Sequence, residues 1–470
     1  MKMLLNGEWV DRPQKMEVRN PQDGSLVDTV PLADAADMEA AIAAAVTAFE
    51  RNRSMPAHRR MEVLHRAAAH IEANHEAYAR TIALEGIKTI REARKEVTRC
   101  IQTLRISAEE ARRIAGETFP FDQMPGSENR VGYYLREPVG VIGAITPFND
   151  PLNLVAHKVG PALAAGNAII VKPDSKTPLS ALMLAQAFTE ADVPPGMLQV
   201  ITGPGREIGD LLVTDPRVRM ISFTGGTEVG RSISRKAGLK KIGMELGSNC
   251  PVIVMDDADL DKAVAANVSG AFWAAGQNCL HVQRLLVQAG IYEAFVSRFV
   301  AAAEAYRVGD KLDEATDMGP LINEEAAMRV ERMVEEAIAA GATLLTGGER
   351  SGTFFAPTVL ADVPPTCSLA HEEVYGPVTV VYKFRTLDEA IRIANNVDYG
   401  LQAGIFTGNL QTAFQAIAGL EVGGVMVNDS TDYRVDGMPF GGVKGSGLGR
   451  EGIRFALQEM TEPKLVCFNL

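Results

Sequence analysis

The chain has 470 residues, 46% of them apolar and 23% charged, and its formal net charge is −12. That length allows two or three folding units with cores that need no staples, and the acidic balance excludes the basic face that nonspecific nucleic-acid binding demands. No apolar run approaches the roughly 18 residues of a membrane span. The opening MKMLLNGEWVDRP lacks a long apolar core and a cleavage site, so it reads as mature sequence. Cys100, Cys250, Cys279, Cys367 and Cys467 are scattered and lack CxxC spacing. A disulfide framework or metal cluster is not expected, and a reducing cytoplasm is the compartment this usage suits.

Helical spacing of apolar residues predicts helices over 34–51, 58–84 and 91–115. Segment 119–128 is turn-rich and leads into an extended stretch over 131–146, which together suit a protruding hairpin or a plain surface loop. A helix over 153–165 stops at Gly166-Asn167, and the apolar strand AIIVK ends at Lys172. Helix 179–190, a strand over 198–202, a helix near 206–213, a strand over 219–223 and a helix from about 227 follow. This alternation predicts a parallel α/β sheet wrapped by helices. A second alternating region starts near Cys250, with helices over 259–275, 292–305, 323–340 and 387–396 and strands over 284–288 and 378–384. Two α/β domains are therefore expected.

Several residues suit chemistry, each with a plainer alternative. The turn Thr224-Gly225-Gly226-Thr227-Glu228-Val229-Gly230 links a strand to a helix, where glycines admit a pyrophosphate and a helix N-terminus favours an anion; it is equally a structural turn. Lys172 ends a strand, where α/β proteins hold ligands, or is simply solvated. Cys279, in Gly276-Gln277-Asn278-Cys279, is an accessible nucleophile or a buried structural thiol. Glu245 lies in Gly243-Met244-Glu245-Leu246-Gly247, where desolvation would raise its pKa toward general-base use, unless it is a solvated strand-edge carboxylate. Asn149, after Thr146-Pro147-Phe148, is an oxyanion donor or a turn cap.

In order, Thr146-Pro147-Phe148-Asn149, Lys172-Pro173, Phe223 to Gly230, Glu245-Leu246-Gly247, Gly276 to Cys279, Glu373-Val374-Tyr375-Gly376-Pro377 and Pro439-Phe440-Gly441-Gly442 resemble the aldehyde dehydrogenase superfamily across nearly the whole chain. The nearest motifs are those of lactaldehyde and non-phosphorylating glyceraldehyde-phosphate dehydrogenases. The resemblance implies a modified Rossmann coenzyme domain (1–118 and 140–245), an α/β catalytic domain (246–454) and a small β oligomerisation arm (119–139 and 455–470), in a homodimer or homotetramer. It implies Cys279 as nucleophile, Asn149 and the Cys279 N–H as oxyanion donors, and Glu245 as the base that hydrolyses a thioester. Acylating relatives, which use coenzyme A, lack that glutamate. Lys158 and Glu462 match a supporting pair. Glu373 matches a residue that grips the nicotinamide ribose, with Tyr375 in place of the commoner Phe. Thr146, Pro147, Phe148, Lys172, Gly205, Phe223, Thr224, Gly225, Gly226, Gly230, Leu246 and Gly247 fall in the cofactor-binding motifs.

NAD-preferring relatives carry Glu three residues after the strand-end Lys. Here Ser175 takes that place and Lys176 adds positive charge, so NADP is favoured over NAD, with Asp174 the opposing charge. His157 and Trp273 stand where succinate-semialdehyde dehydrogenases carry substrate-gripping arginines, and Asn278 replaces an Arg of the phosphate-substrate enzymes. Glu96-Val97-Thr98-Arg99 and Asn428 to Arg434 instead resemble the lactaldehyde-type group. The expected substrate is a small polar or anionic aldehyde, with Arg99, His157, His281, Arg434 and Phe440 near the entrance. A semialdehyde dehydrogenase with another substrate clamp, an esterase side activity and a noncatalytic dinucleotide-binding scaffold are the alternatives.

Overall fold

The strand Ala168–Lys172 is buried at every position, as a strand covered on both faces must be. In the computed structural model, which describes residues 1–470, this strand lies inside an eight-stranded sheet. The order is Glu8–Val10, Met3–Leu5, Leu198–Val200, Ala168–Lys172, Val141–Ile145, Val218–Thr224, Lys241–Glu245 and Gly447–Leu448. The strands from Leu198–Val200 to Lys241–Glu245 run parallel. Antiparallel pairings finish both sides.

Helices cover this sheet because their apolar stripes have nowhere else to go. Ala35–Asn52 starts at a capping box between Asp34 and Asp37, and Ile90–Ala111 at one between Thr89 and Glu92. Each box satisfies orphan N–H groups reciprocally. The helix expected over 58–84 is two, Ala57–Ala73 and His75–Glu85. Asn74 leaves helical geometry between them and its side chain donates to the His70 carbonyl. Asparagine competes for backbone partners in this way, which propensity over a long window hides.

The second sheet has the order Thr343–Thr346, Thr358–Ala361, Val378–Phe384, Val282–Gln288, Cys250–Val254, Gln402–Phe406 and Gly424–Val427. All but the first run parallel. After it, the chain returns to the first sheet at Gly447–Leu448. The extended stretch expected over 131–146 is shared by two layers. Arg130–Pro138 leaves the body and pairs along its length with Thr461–Asn469, whereas Val141–Ile145 enters the first sheet. Gly140, at φ +123°, makes the corner. The Arg130–Pro138 and Thr461–Asn469 ribbon exposes Val131, Tyr133, Leu135, Leu465 and Phe468. No helix is long and apolar enough to cross a membrane.

Arg284 fixes the second sheet to its neighbours. It is buried, and its guanidinium donates to the carbonyls of Ile393, Ala394 and Asn249 at 2.7, 2.9 and 3.1 Å. No carboxylate pairs with it, and burial lowers its pKa to about 10. Arg284→Met keeps much of the volume and removes a donor from three carbonyls, of which Ile393 O keeps the Asn396 N–H. The expected loss is about 3 kcal/mol, read as a lowered Tm at fixed protein concentration. An unchanged Tm would show that water reaches those carbonyls.

Candidate active site

Four strand ends of the first sheet deliver side chains toward the second. Asn149 follows Val141–Ile145, Lys172 ends its strand, Thr224 ends Val218–Thr224, and Glu245 ends Lys241–Glu245. From the other side comes the loop that carries Cys279, just before Val282–Gln288. A cavity of about 240 Å³ lies between, lined by Cys279, Glu245, Asn149, Thr224, Arg434 and Phe440 among others.

The loop before Cys279 departs from the expected continuous helix over 259–275. The helix stops at Phe272, and Ala274, Ala275 and Gly276 all adopt positive φ. Alanine in that region is strained, so neighbours must hold it. The Ala274 N–H donates to buried Glu92 at 2.8 Å. Gln277 donates to Pro320 O at 3.2 Å and accepts from the Ile322 N–H at 2.9 Å. Gly276 presses on Gly376, whose carbonyl oxygen would lie 2.1 Å from an added Cβ. The result presents Cys279 partly exposed at the cavity while its own N–H has no acceptor in the protein. The Asn149 side chain makes no hydrogen bond to the protein, and its Oδ1 is buried without a partner. Two donors without acceptors, next to a thiol, suit a negative oxygen.

Burial pushes the Cys279 thiol well above its ordinary value, against the pull of Arg434. Burial also pushes the Glu245 carboxyl up, reinforced by Glu451 and opposed by Arg434 and Lys158. Its Oε2 is buried without a partner. Desolvation opposes ionisation of both groups, and a carboxyl so placed is suited to proton transfer.

Lys158 is buried, and its partner is not the expected Glu462. Lys158 Nζ donates to Glu451 Oε1 and Ser222 Oγ, both at 3.1 Å. Glu462 is exposed and pairs with Lys241 at 3.0 Å. Glu451 also accepts from Arg434 at 3.1 Å, and the Arg434 guanidinium lies 3.7 Å from the centre of the Phe440 ring. Burial works to raise the Glu451 pKa, but Lys158 and Arg434 outweigh it and hold the carboxyl below its usual range.

Two expected entrance residues lie elsewhere. His157 is fully buried behind the cavity and bonds Asp436 at 2.9 Å. His281 turns away and bonds the Val378 carbonyl at 2.9 Å. Arg99 does line the cavity, held by Asp436 at 2.8 Å and Asp150 at 3.4 Å. Trp273 lines it too, with the Lys88 ammonium 4.7 Å from its ring centre.

Sequence reasoning missed the charges beneath the floor. Glu96 accepts the N–H groups of Leu152 and Asn153 at 2.8 and 3.0 Å, which fixes the turn carrying Asn149. Lys88, fully buried, pairs with Glu96 at 2.8 Å and with Asp150. Glu96 lies in a quoted motif and Asp150 adjoins Asn149, so their positions were visible although their partners were not.

The dinucleotide expectations fall along the same strand ends. Buried Lys172 donates only to the Pro173 carbonyl at 2.9 Å. A Cβ on Gly205 would sit 3.9 Å from its ammonium, so the glycine keeps that approach open. Ser175 donates to Gly203 O at 3.2 Å, and Lys176 Nζ lies 5.6 Å from the Phe148 ring centre. Asp174 turns back to accept the Lys176 N–H at 2.8 Å. Gly226 precedes the helix Thr227–Lys236, and Gly230 packs that helix against Leu246. Gly247 adjoins Glu373, which accepts the Ser248 N–H at 2.8 Å and is pushed up to about 7 by burial. Phe148 meets Tyr375 edge to face at 5.8 Å. Phe223 lies against Gly225. Pro147 belongs to the turn before Asn149, and the Thr146 and Thr224 hydroxyls are buried without partners. These orphaned polar groups and the glycine-lined approach fit ribose hydroxyls and a pyrophosphate.

The aldehyde dehydrogenase family model matches residues 9–466. The chain is 52% identical to aspartate-semialdehyde dehydrogenase 1 of Pseudomonas canavaninivorans, covering 97% of each chain. It is 46% identical to 3-sulfolactaldehyde dehydrogenase of Priestia aryabhattai, covering 100% of this chain and 98% of the relative. Aldehyde dehydrogenase 21 of Physcomitrella patens, solved with the reaction product succinate, superposes with a TM-score of 0.98 at 40% identity, over 100% of this chain and 98% of that one. Glyceraldehyde-3-phosphate dehydrogenase of Methanocaldococcus jannaschii, solved with NADP, superposes with a TM-score of 0.94 at 41% identity, over 98% and 100%.

Proposed function

The chain belongs to the aldehyde dehydrogenase family, an NAD(P)-dependent oxidoreductase, and from that premise we propose that it oxidises a small anionic aldehyde to its acid through a Cys279 thioester. The observation that carries this reading is the cavity in which Cys279, the free Asn149 amide and the unpaired Glu245 carboxyl meet.

An aldehyde carbonyl is electrophilic but does not release hydride while planar and neutral. The Cys279 thiol gives its proton to solvent, and the thiolate attacks the carbonyl carbon to form a tetrahedral thiohemiacetal with the charge on the former carbonyl oxygen. Burial opposes ionisation of the thiol, and the nearby Arg434 cation offsets part of that cost. The Asn149 amide and the Cys279 N–H hold the oxyanion, and losing one such donor typically costs about 2.7–4 kcal/mol. Lys172, Glu373 and the turn from Thr224 to Gly230 would hold a nicotinamide dinucleotide, which would accept the hydride whose loss converts the thiohemiacetal into the thioester. Glu245 then takes a proton from water, which attacks the thioester and releases the acid. Lys158 and Glu451 position that proton traffic without touching the reacting atoms. In this reading the coenzyme domain, catalytic domain and arm follow the bounds given by the motifs, except that Gly447–Leu448 joins the first sheet and Leu457 and Met460 pack into its core rather than into the arm. The arm's exposed apolar ribbon supports assembly as a homodimer or homotetramer, working in the reducing cytoplasm.

An anionic substrate is supported by the relatives, which are named for aspartate semialdehyde and 3-sulfolactaldehyde. NADP is favoured because no carboxylate projects at Ser175 and Asp174 is engaged in its own turn; one solved relative holds NADP.

With an anionic aldehyde and NADP, the wild-type protein is expected to form reduced nucleotide and acid, and Cys279→Ser to lose about a thousandfold in rate. Glu245→Gln is expected to give one equivalent of reduced nucleotide per site in a burst and then stall about a hundredfold below wild type. Steady turnover without a burst would remove Glu245 from hydrolysis.

Glu451 raises the Glu245 pKa. Glu451→Gln removes that negative charge and leaves Lys158 and Arg434 uncompensated, which favours ionised Glu245. The acid limb of the kcat–pH profile is therefore expected to move to lower pH; movement upward would contradict the electrostatic assignment. Ser175→Glu places a carboxylate where the 2′-phosphate is expected, so the NADP-to-NAD ratio of kcat/KM should fall about tenfold or more. An unchanged ratio would remove Ser175 from discrimination.

A further inference from the structure

A second cavity, of about 20 Å³, also reaches Glu245. It shares only Glu245 and Glu451 with the lining of the Cys279 cavity. Alternation along the strand Lys241–Glu245 explains it, because Lys241, Gly243 and Glu245 face the same side. Between two charged side chains Gly243 contributes none, and a Cβ there would meet only Met220 Cε, at 3.5 Å. Small neighbours keep the gap open: Ser222, opposite Gly243 on the next strand, and Ala456 on the helix Ile453–Glu459.

Glu459 ends that helix, half-buried, and forms no ion pair. A Cβ built on Gly449 would lie 3.7 Å from the Gly243 Cα and 4.0 Å from Glu459 Oε1, so this carboxylate borders the gap. A buried water needs roughly 10–15 Å³ of such space and at least two polar partners. The gap has that volume. Two of its lining residues carry buried polar atoms without partners in the protein, Glu245 Oε2 and His157 Nδ1.

Each hydrolysis leaves on Glu245 a proton taken from the attacking water, and that proton must reach solvent before the next turnover. Glu451 is a poor carrier, because Lys158 and Arg434 hold it as an anion. We propose that one water in the Gly243 gap accepts the Glu245 proton and passes one of its own to the Glu459 carboxylate, which releases it to solvent. This rests on Glu245 being the base of thioester hydrolysis. A single intervening water is within the reach of such a transfer. Glu459 acts through that water and touches neither substrate nor dinucleotide. The route leaves by the side of the strand, so it stays open while substrate and dinucleotide fill the Cys279 cavity.

The test uses the full-length protein with its preferred dinucleotide in weak buffer, and succinate semialdehyde or aspartate 4-semialdehyde, whichever is oxidised faster. Stopped flow reads reduced nucleotide and quenched flow reads acid. Gly243→Ala has room for its methyl group, and Glu459→Gln changes a half-buried position, so both should fold. Each is expected to form the first equivalent of reduced nucleotide at the wild-type rate and to release acid about tenfold more slowly. Added imidazole, at constant pH and ionic strength, should restore Glu459→Gln, because a soluble base takes over from the carboxylate. Gly243→Ala should stay slow, because its methyl group displaces the water. A merely structural disturbance would not respond to buffer. Wild-type acid release in either variant, or a loss in Glu459→Gln that imidazole does not relieve, overturns the outlet and leaves aldehyde oxidation standing. No reduced nucleotide from the wild type with either aldehyde overturns the reading on which the outlet rests.

Discussion

A chain of buried opposite charges under the cavity floor is the constraint on which the site depends. It runs from Lys88 through Glu96 and Asp150 to Arg99, Asp436 and His157. A second group joins Lys158, Glu451 and Arg434. Such pairs add little net stability, because desolvation offsets much of their attraction. Their value here is geometric. The pairs join residues of separate segments, so satisfying all of them at once allows one arrangement of the Ile90–Ala111 helix, the Asn149 turn, the Lys158 helix and the 429–451 segment. Removing Lys88 would leave buried Glu96 without its counter-ion.

Backbone strain does related work on the other wall. Three successive residues with positive φ turn the chain sharply before Cys279. Glu92 and Gln277 hold that turn through hydrogen bonds to backbone groups. The same turn leaves the Cys279 N–H free. Strain, an unused donor and a thiol facing the cavity therefore share one origin, and the two walls are linked because Glu92 and Glu96 lie one turn apart on one helix.

Electrostatics then separates groups of like chemistry. Glu245 and Glu451 are both buried carboxyls near the same cations, yet their pKa values move in opposite directions. Glu451 has Lys158 and Arg434 as direct partners, whereas Glu245 has none and also feels Glu451. One stays an anion that orients cations, and the other is free to exchange a proton.

The family, the alternation of strands and helices, and the residues at strand ends are legible in the amino-acid order. Strand ends in a parallel sheet converge on one edge, so Asn149, Lys172, Thr224 and Glu245 are neighbours by topology, and ordered motifs make that legible. Which charge meets which came from packing alone. Glu451 and Glu462 are both C-terminal carboxylates, and nothing local says that the first faces Lys158 while the second stays exposed beside Lys241. His157 adjoins Lys158, but adjacent helical residues point about 100° apart, which sends one toward Asp436 and the other toward Glu451. The break at Asn74 and the turn at Ala274 were hidden for a related reason: both segments have helical composition, and hydrogen bonds to particular side chains override it.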